Sequence, residues 1–174
     1  NTAHYLAKPL EMDRYIATVV NTCDVIKAKI HSKKNIQLSF DEWNVCHEWE
    51  QPEAIKARPW LVAPPLLEES YTAEDALVVG GMLITLLKHS DRVKIACMAQ
   101  LVNVLAPIMT ANGGICWKQS TYYPFMQASR FGRGQALDLN IHSPTYEDRE
   151  YGPVPYLEAV GIWDQENEYI TIFA

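Results

Sequence analysis

The sequence predicts an α/β unit followed by all-β material. Two observations carry this. From about residue 10 to residue 105 the apolar residues change period in the order helix, strand, long loop, helix, strand. Crossover helices joining parallel strands produce that order. After about residue 132 the chain turns to short alternating segments separated by Gly, Pro, Asp and Asn, the texture of antiparallel β structure. The expected organisation is therefore an α/β part over residues 1–131 and the start of a β domain over 132–174.

The first helix is "LEMDRYIATVVNTCDVIKAKIH", residues 10–31. Leu10, Tyr15, Ile16, Val19, Val20, Cys23, Ile26 and Ile30 share one broad side. Glu11 and Asp13 lie early and Lys27 and Lys29 late, which complements the helix dipole. "SKKN" turns the chain, and "IQLSF" has the β-branched and aromatic character of a short strand. Residues 51–70 form a long loop with Pro52, Pro59, Pro64 and Pro65. Long loops inside compact domains are usually functional or disordered.

Thr72 is placed to cap the next helix, with Glu74 and Asp75 in its first turn. "ALVVGGMLITLLKH" is apolar nearly all round and should be deeply packed. Gly80 and Gly81 inside it suit close helix packing better than phosphate binding. "RVKIACMAQLVNVL" reads as the next strand, with Gln100 and Asn103 at its end. In the last segment, "YLEAVGIWDQENEYITIFA" reads as a hairpin turning near Asp164 to Asn167.

Composition narrows the function. Of 174 residues, 48% are hydrophobic and 21% charged, with a net charge of −6. This is ordinary globular composition, and the absence of a basic stripe argues against a nucleic-acid surface. No apolar run reaches the roughly 18 residues of a membrane span, and the N-terminal stretch has no signal-peptide pattern. Cys23, Cys46, Cys97 and Cys116 are too few and too scattered for a disulfide scaffold or a zinc ribbon. Reduced thiols in a cytoplasmic protein are the default reading, which leaves a secreted form open. His4, His31, His47, His89 and His142 lack metal-ligand spacing, so no cofactor is expected. Asn1 in place of Met, and a final "YITIFA" strand with no closing turn, suggest part of a longer chain.

The candidate chemistry lies in "LSFDEWNVCHEWE", residues 38–50. In parallel α/β folds the site lies at the C-terminal ends of the strands, where Glu42 and Gln100 both fall. Strict alternation sends Leu38, Phe40 and Glu42 to one side and Gln37, Ser39 and Asp41 to the other, so Asp41 needs donors of its own. On spacing alone, a solvated acid closing a strand is the commoner reading of Glu42. Trp43 and Trp49 read as core or lid residues, and His47 lies near the rim, where a substrate contact is open and a surface role is the commoner reading.

"LSFDEWNV", the block from "PWLVAPPLLEESYTAEDALVVGG" through "MLITLLKHSDRVKIACMAQLVNVLAPIMT", and "WKQSTYYPFMQASRFGRG" resemble the α-L-arabinofuranosidases of glycoside hydrolase family 51. The likeness covers nearly the whole chain, in the right order and spacing. It implies the last part of a (β/α)8 barrel followed by the beginning of a β-sandwich. It also implies a retaining glycosidase in which Glu42 is the nucleophile and Gln100 binds the sugar, with Trp43 and Asn44 supporting the site. The family's acid/base glutamate lies on an earlier strand. Residues 1–41 offer only Glu11, within a helix, so that carboxyl group is expected outside this chain. Where this chain has Cys46 the family usually has tryptophan facing the substrate.

The implied partners are arabinose-containing glycans, the rest of the same enzyme, and further copies in a homo-oligomer, often a hexamer. An endoglucanase of the same mechanism and a sugar-binding or structural polypeptide without turnover are the rival readings.

Overall fold

The computed structural model describes residues 1–47, 53–58, 60–62, 64 and 66–174. Two helices open the chain, α1 (Thr2–Leu6) and α2 (Pro9–Lys29), with Pro9 at the start of α2, where its missing N–H costs nothing. Next come β1 (Leu38–Trp43), the short α3 (Glu53–Lys56), α4 (Ala73–Lys88) and β2 (Val93–Met98). A hairpin of β3 (Ile108–Ala111) and β4 (Ile115–Lys118) leads to α5 (Tyr122–Phe131). The remainder is β5 (Gln135–Leu137), β6 (Thr145–Asp148), β7 (Gly152–Pro155), β8 (Val160–Asp164) and β9 (Tyr169–Phe173).

Strands β1 and β2 pair in parallel, with α4 as the connection between them. β5, β8 and β9 form an antiparallel sheet in that order, and β6 pairs with β7. The β8–β9 turn lies where the sequence places it, with Asp164 Oδ1 accepting from the amides of Glu166 and Asn167, each at 3.0 Å.

The helix α4 explains its own composition. Val78, Val79 and Leu86 enter a core with Met12 and Ile16 of α2 and Trp43 and Val93 of the parallel strands. Ile84 and Leu87 enter a second core with Val160 and Ile162 of β8. A helix packed on two sides needs apolar residues on both. Burying each such side chain contributes about 1.5–3 kcal/mol. Its start is a capping box: Thr72 Oγ1 accepts from the Asp75 amide, and the Asp75 carboxylate accepts from the Thr72 amide. Gly80 and Gly81 do serve packing. A Cβ on Gly81 would lie 2.6 Å from Cγ of Pro9, and one on Gly80 would lie 3.8 Å from Cβ of Pro124.

Several expectations are corrected. Of the apolar side expected along α2, Ile16 is buried, whereas Tyr15, Ile26 and Ile30 are exposed. The described core touches only a narrow strip of that helix. The first strand is not "IQLSF"; it starts at Leu38 and continues through both acids to Trp43. The second strand stops at Met98, short of the expected Leu105, and the backbone turns further on, with Asn103 and Leu105 at positive φ. Asn103 fixes this turn: its Oδ1 accepts from the Thr110 amide at 2.8 Å. Helices α1, α3 and α5 and the β3–β4 hairpin are additions to the expected elements.

Candidate active site

The parallel pairing brings the ends of β1 and β2 together. Trp43 pairs with Met98, and the Ala99 amide donates to the Trp43 carbonyl at 3.1 Å. Glu42 precedes this junction on one chain segment and Gln100 follows it on the other. The two residues therefore lie at one edge of the sheet. Both are exposed, and neither side chain makes a hydrogen bond or ion pair among the described residues.

The strand is irregular at the acids. Three steps from Phe40 to Trp43 oppose two from Ala96 to Met98. This irregularity overturns the strict alternation: Leu38, Phe40 and Trp43 pack on the helix-side core, and Glu42 does not share their side. A bulge of this kind re-aims side chains near functional sites. Asp41 has the separate donor it needs, the hydroxyl of Ser39. Trp43 is buried, and its indole Nε1 has no hydrogen-bond partner among the described residues.

After the strand, Asn44, Val45 and His47 are each held by their own partners. Asn44 Nδ2 donates to the carbonyls of Ala99 and Leu105 at 2.8 and 2.5 Å. The Tyr71 hydroxyl donates to the Val45 carbonyl at 2.8 Å. The His47 amide donates to Glu69 Oε1 at 2.6 Å, and His47 Nε2 lies 2.8 Å from Asp75 Oδ1. Between these anchors Cys46 is half-buried. Trp49 lies outside the described residues.

Behind the loop sits a buried polar cluster that the sequence did not single out. Asp75 is only 2% exposed. Its Oδ1 accepts from the Tyr5 hydroxyl at 2.5 Å, and its Oδ2 accepts from the Thr72 amide and hydroxyl at 2.6 and 2.9 Å. Burial alone would raise the Asp75 carboxyl, but the hydrogen bonds from Tyr5, Thr72 and His47 outweigh it and hold the pKa below the ordinary range. Burial, the Asp75 hydrogen bond and its charge push the Tyr5 phenol up. Burial and the neighbouring Glu69 push Tyr71 up. Gln119 closes the cluster: its Oε1 accepts from the Tyr71 amide at 2.9 Å, and its Nε2 donates to the Glu69 and Ala106 carbonyls at 2.9 and 2.8 Å.

Among the described residues, no group of three His, Cys, Asp or Glu side chains could hold a metal ion, and no helix is long and apolar enough to cross a membrane.

The family model for the α-L-arabinofuranosidase C-terminal domain matches residues 41–172. The chain belongs to this family. The match of the arabinofuranosidase C-terminal family starts at Asp41, immediately before Glu42.

Similar curated proteins include the intracellular exo-α-(1→5)-L-arabinofuranosidase of Halalkalibacterium halodurans, 58% identical over 99% of this chain and 34% of that protein. The intracellular exo-α-(1→5)-L-arabinofuranosidase 1 of Bacillus subtilis is 51% identical over 100% of this chain and 35% of that protein. The chain thus spans about a third of the length of these relatives. Among solved structures, a family 51 α-L-arabinofuranosidase from Bifidobacterium longum superposes with a TM-score of 0.86 at 41% identity, over 98% of this chain and 34% of that one. An α-L-arabinofuranosidase from Thermotoga maritima shares the fold, with a TM-score of 0.76 at 23% identity over 99% of this chain and 34% of that one.

Proposed function

We propose that this chain is the nucleophile-bearing C-terminal part of a retaining α-L-arabinofuranosidase. The complete enzyme releases terminal α-L-arabinofuranosyl groups from arabinan, arabinoxylan or their oligosaccharides. One observation carries the reading: in a chain related to named arabinofuranosidases, Glu42 and Gln100 stand at the same end of two parallel strands. In this reading residues 1–131 complete the last part of a (β/α)8 barrel, and residues 132–174 begin a β-sandwich.

The proposed chemistry is double displacement. The Glu42 carboxylate attacks the anomeric carbon and forms a glycosyl ester. A second carboxyl group, from the part of the enzyme outside this chain, protonates the leaving oxygen and then activates water. Retaining enzymes hold the two carboxyl groups roughly 5–5.5 Å apart. The neutral Gln100 amide can bond a sugar hydroxyl without competing as a nucleophile. Asn44 and Trp43 support the strand end, and Cys46 lies on the substrate rim. We also read the enzyme as intracellular, in keeping with its relatives' names, and as a homo-oligomer.

The test uses the full-length enzyme and the Glu42→Gln variant on an aryl α-L-arabinofuranoside. Loss of the nucleophile should lower kcat by at least about 10³-fold with little change in KM. Near-normal turnover would move the nucleophile elsewhere. Aryl glucoside and cellobioside arms separate this reading from an endoglucanase.

A further inference from the structure

His47 is the last described residue of the segment leaving β1, and its side chain is anchored on a buried charge. Nε2 lies 2.8 Å from Asp75 Oδ1, and its ring centroid is 5.6 Å from that of Tyr5. Tyr5 donates to the same carboxylate oxygen. The Thr72 amide and hydroxyl occupy the other oxygen. An ionised carboxylate only accepts hydrogen bonds, so Nε2 carries a proton and donates it. The partners of this one carboxylate come from α1, from the cap of α4 and from the segment after β1. The backbone of the same residue is held independently, by Glu69 Oε1. Yet the imidazole remains about half exposed, with a side-chain accessibility of 48% against 3% for Asp75. A half-exposed ring tethered to a fully buried, multiply bonded carboxylate is a rigid element at the surface of a loop.

The geometry points to His47 as a positioning residue for the substrate rim: the Asp75–His47 hydrogen bond, beside the Glu69 bond to the His47 amide, fixes the far end of the Asn44–His47 segment, next to Cys46. This inference rests on the proposed arabinofuranosidase reading, in which that segment borders the glycan. The segment follows the nucleophile, and its first residue, Asn44, has its own anchors on Ala99 and Leu105. Removing the imidazole keeps the Asn44 anchors and the Glu69 bond, so Glu42 stays in place, and it takes from the rim its side-chain tether to Asp75. The consequence is a split in kinetics: affinity for an extended glycan falls, while turnover of a small aryl glycoside persists.

The experiment uses the full-length enzyme with His47→Ala and His47→Gln, an aryl arabinofuranoside and a linear arabino-oligosaccharide. A glutamine amide reaches about as far as Nε2 and can donate to Asp75. His47→Ala should raise KM for the oligosaccharide about tenfold, a loss of about 1.4 kcal/mol of rim contact. Its kcat on the aryl substrate should stay within about twofold, and His47→Gln should restore KM. Amide hydrogen exchange in the peptide spanning residues 43–47 should speed up in His47→Ala and recover in His47→Gln. Equal losses on both substrates, no KM change, or failure of glutamine to rescue would overturn the inference. If the wild-type enzyme turns over no arabinofuranoside, the functional reading falls. The inference about the loop is then decided by hydrogen exchange, and unchanged exchange in His47→Ala overturns it.

Discussion

The side chain of Asn44 ties the ends of the two parallel strands together, its Nδ2 donating to the carbonyl of Ala99 at 2.8 Å. The same nitrogen reaches the Leu105 carbonyl, and the Asn44 Oδ1 accepts from the Val45 amide. Asn44→Ala should destabilise the full-length enzyme by about 1 kcal/mol, the low end of the cost of leaving part-buried carbonyls unpaired. Asn44→Asp should be worse, because a carboxylate would face two carbonyl oxygens. Denaturant unfolding of both variants checks the order.

The paired glycines of α4 give a contrast within one helix turn. Gly81→Ala forces a methyl group against the rigid ring of Pro9 and should cost about 1–3 kcal/mol. Gly80→Ala makes an ordinary contact with Pro124 and gains helix propensity of up to about 1 kcal/mol. Thermal unfolding should show a lower Tm for the first variant and an unchanged or higher Tm for the second.

These relationships differ in how far they could be read from the sequence. The start of α4 was legible because a capping box is local, with Thr72 and Asp75 three residues apart. The β8–β9 turn was legible for the same reason. The irregularity that re-aims Glu42 was not, because it is a property of pairing with β2. The β3–β4 hairpin carries a local turn signal in Asn112, Gly113 and Gly114, both glycines having positive φ. The cluster behind the loop was hidden by distance along the chain. Asp75 reads as a first-turn acid of a helix, and only the fold brings Tyr5 and His47 to it from 70 and 28 residues away.

Asp75 also sets a pH dependence. Its folded pKa lies below the ordinary carboxyl value, so its ionised form binds more tightly to the folded state. That contribution is fully present above the unfolded pKa of about 3.9 and is lost as pH falls through the lower folded value. Stability measured from pH 6 downward should therefore drop in this acid window. Asp75→Asn should flatten that limb and lower stability at neutral pH. Parallel acid limbs for the two proteins would count against this role.

The family resemblance implies a tryptophan at the position of Cys46, and under the proposed reading the cysteine offers far less contact than the roughly 150–250 Å² that an aromatic ring buries. The rim of this enzyme should thus be wider than usual. Cys46→Trp should improve kcat/KM on a simple aryl arabinofuranoside and reduce it on a doubly substituted oligosaccharide. Identical changes on both substrates would rule out a widened rim.

The central claim, that Glu42 forms the glycosyl ester, is tested most directly by trapping. The full-length enzyme, quenched in acid during turnover of an activated aryl α-L-arabinofuranoside, is digested and its peptides are weighed. The account predicts one anhydropentosyl group on the peptide spanning Leu38 to Asn44, attached at Glu42 and absent from Glu42→Gln. A pentosyl group on another carboxylate, or no adduct together with an inverted anomeric product, would contradict it.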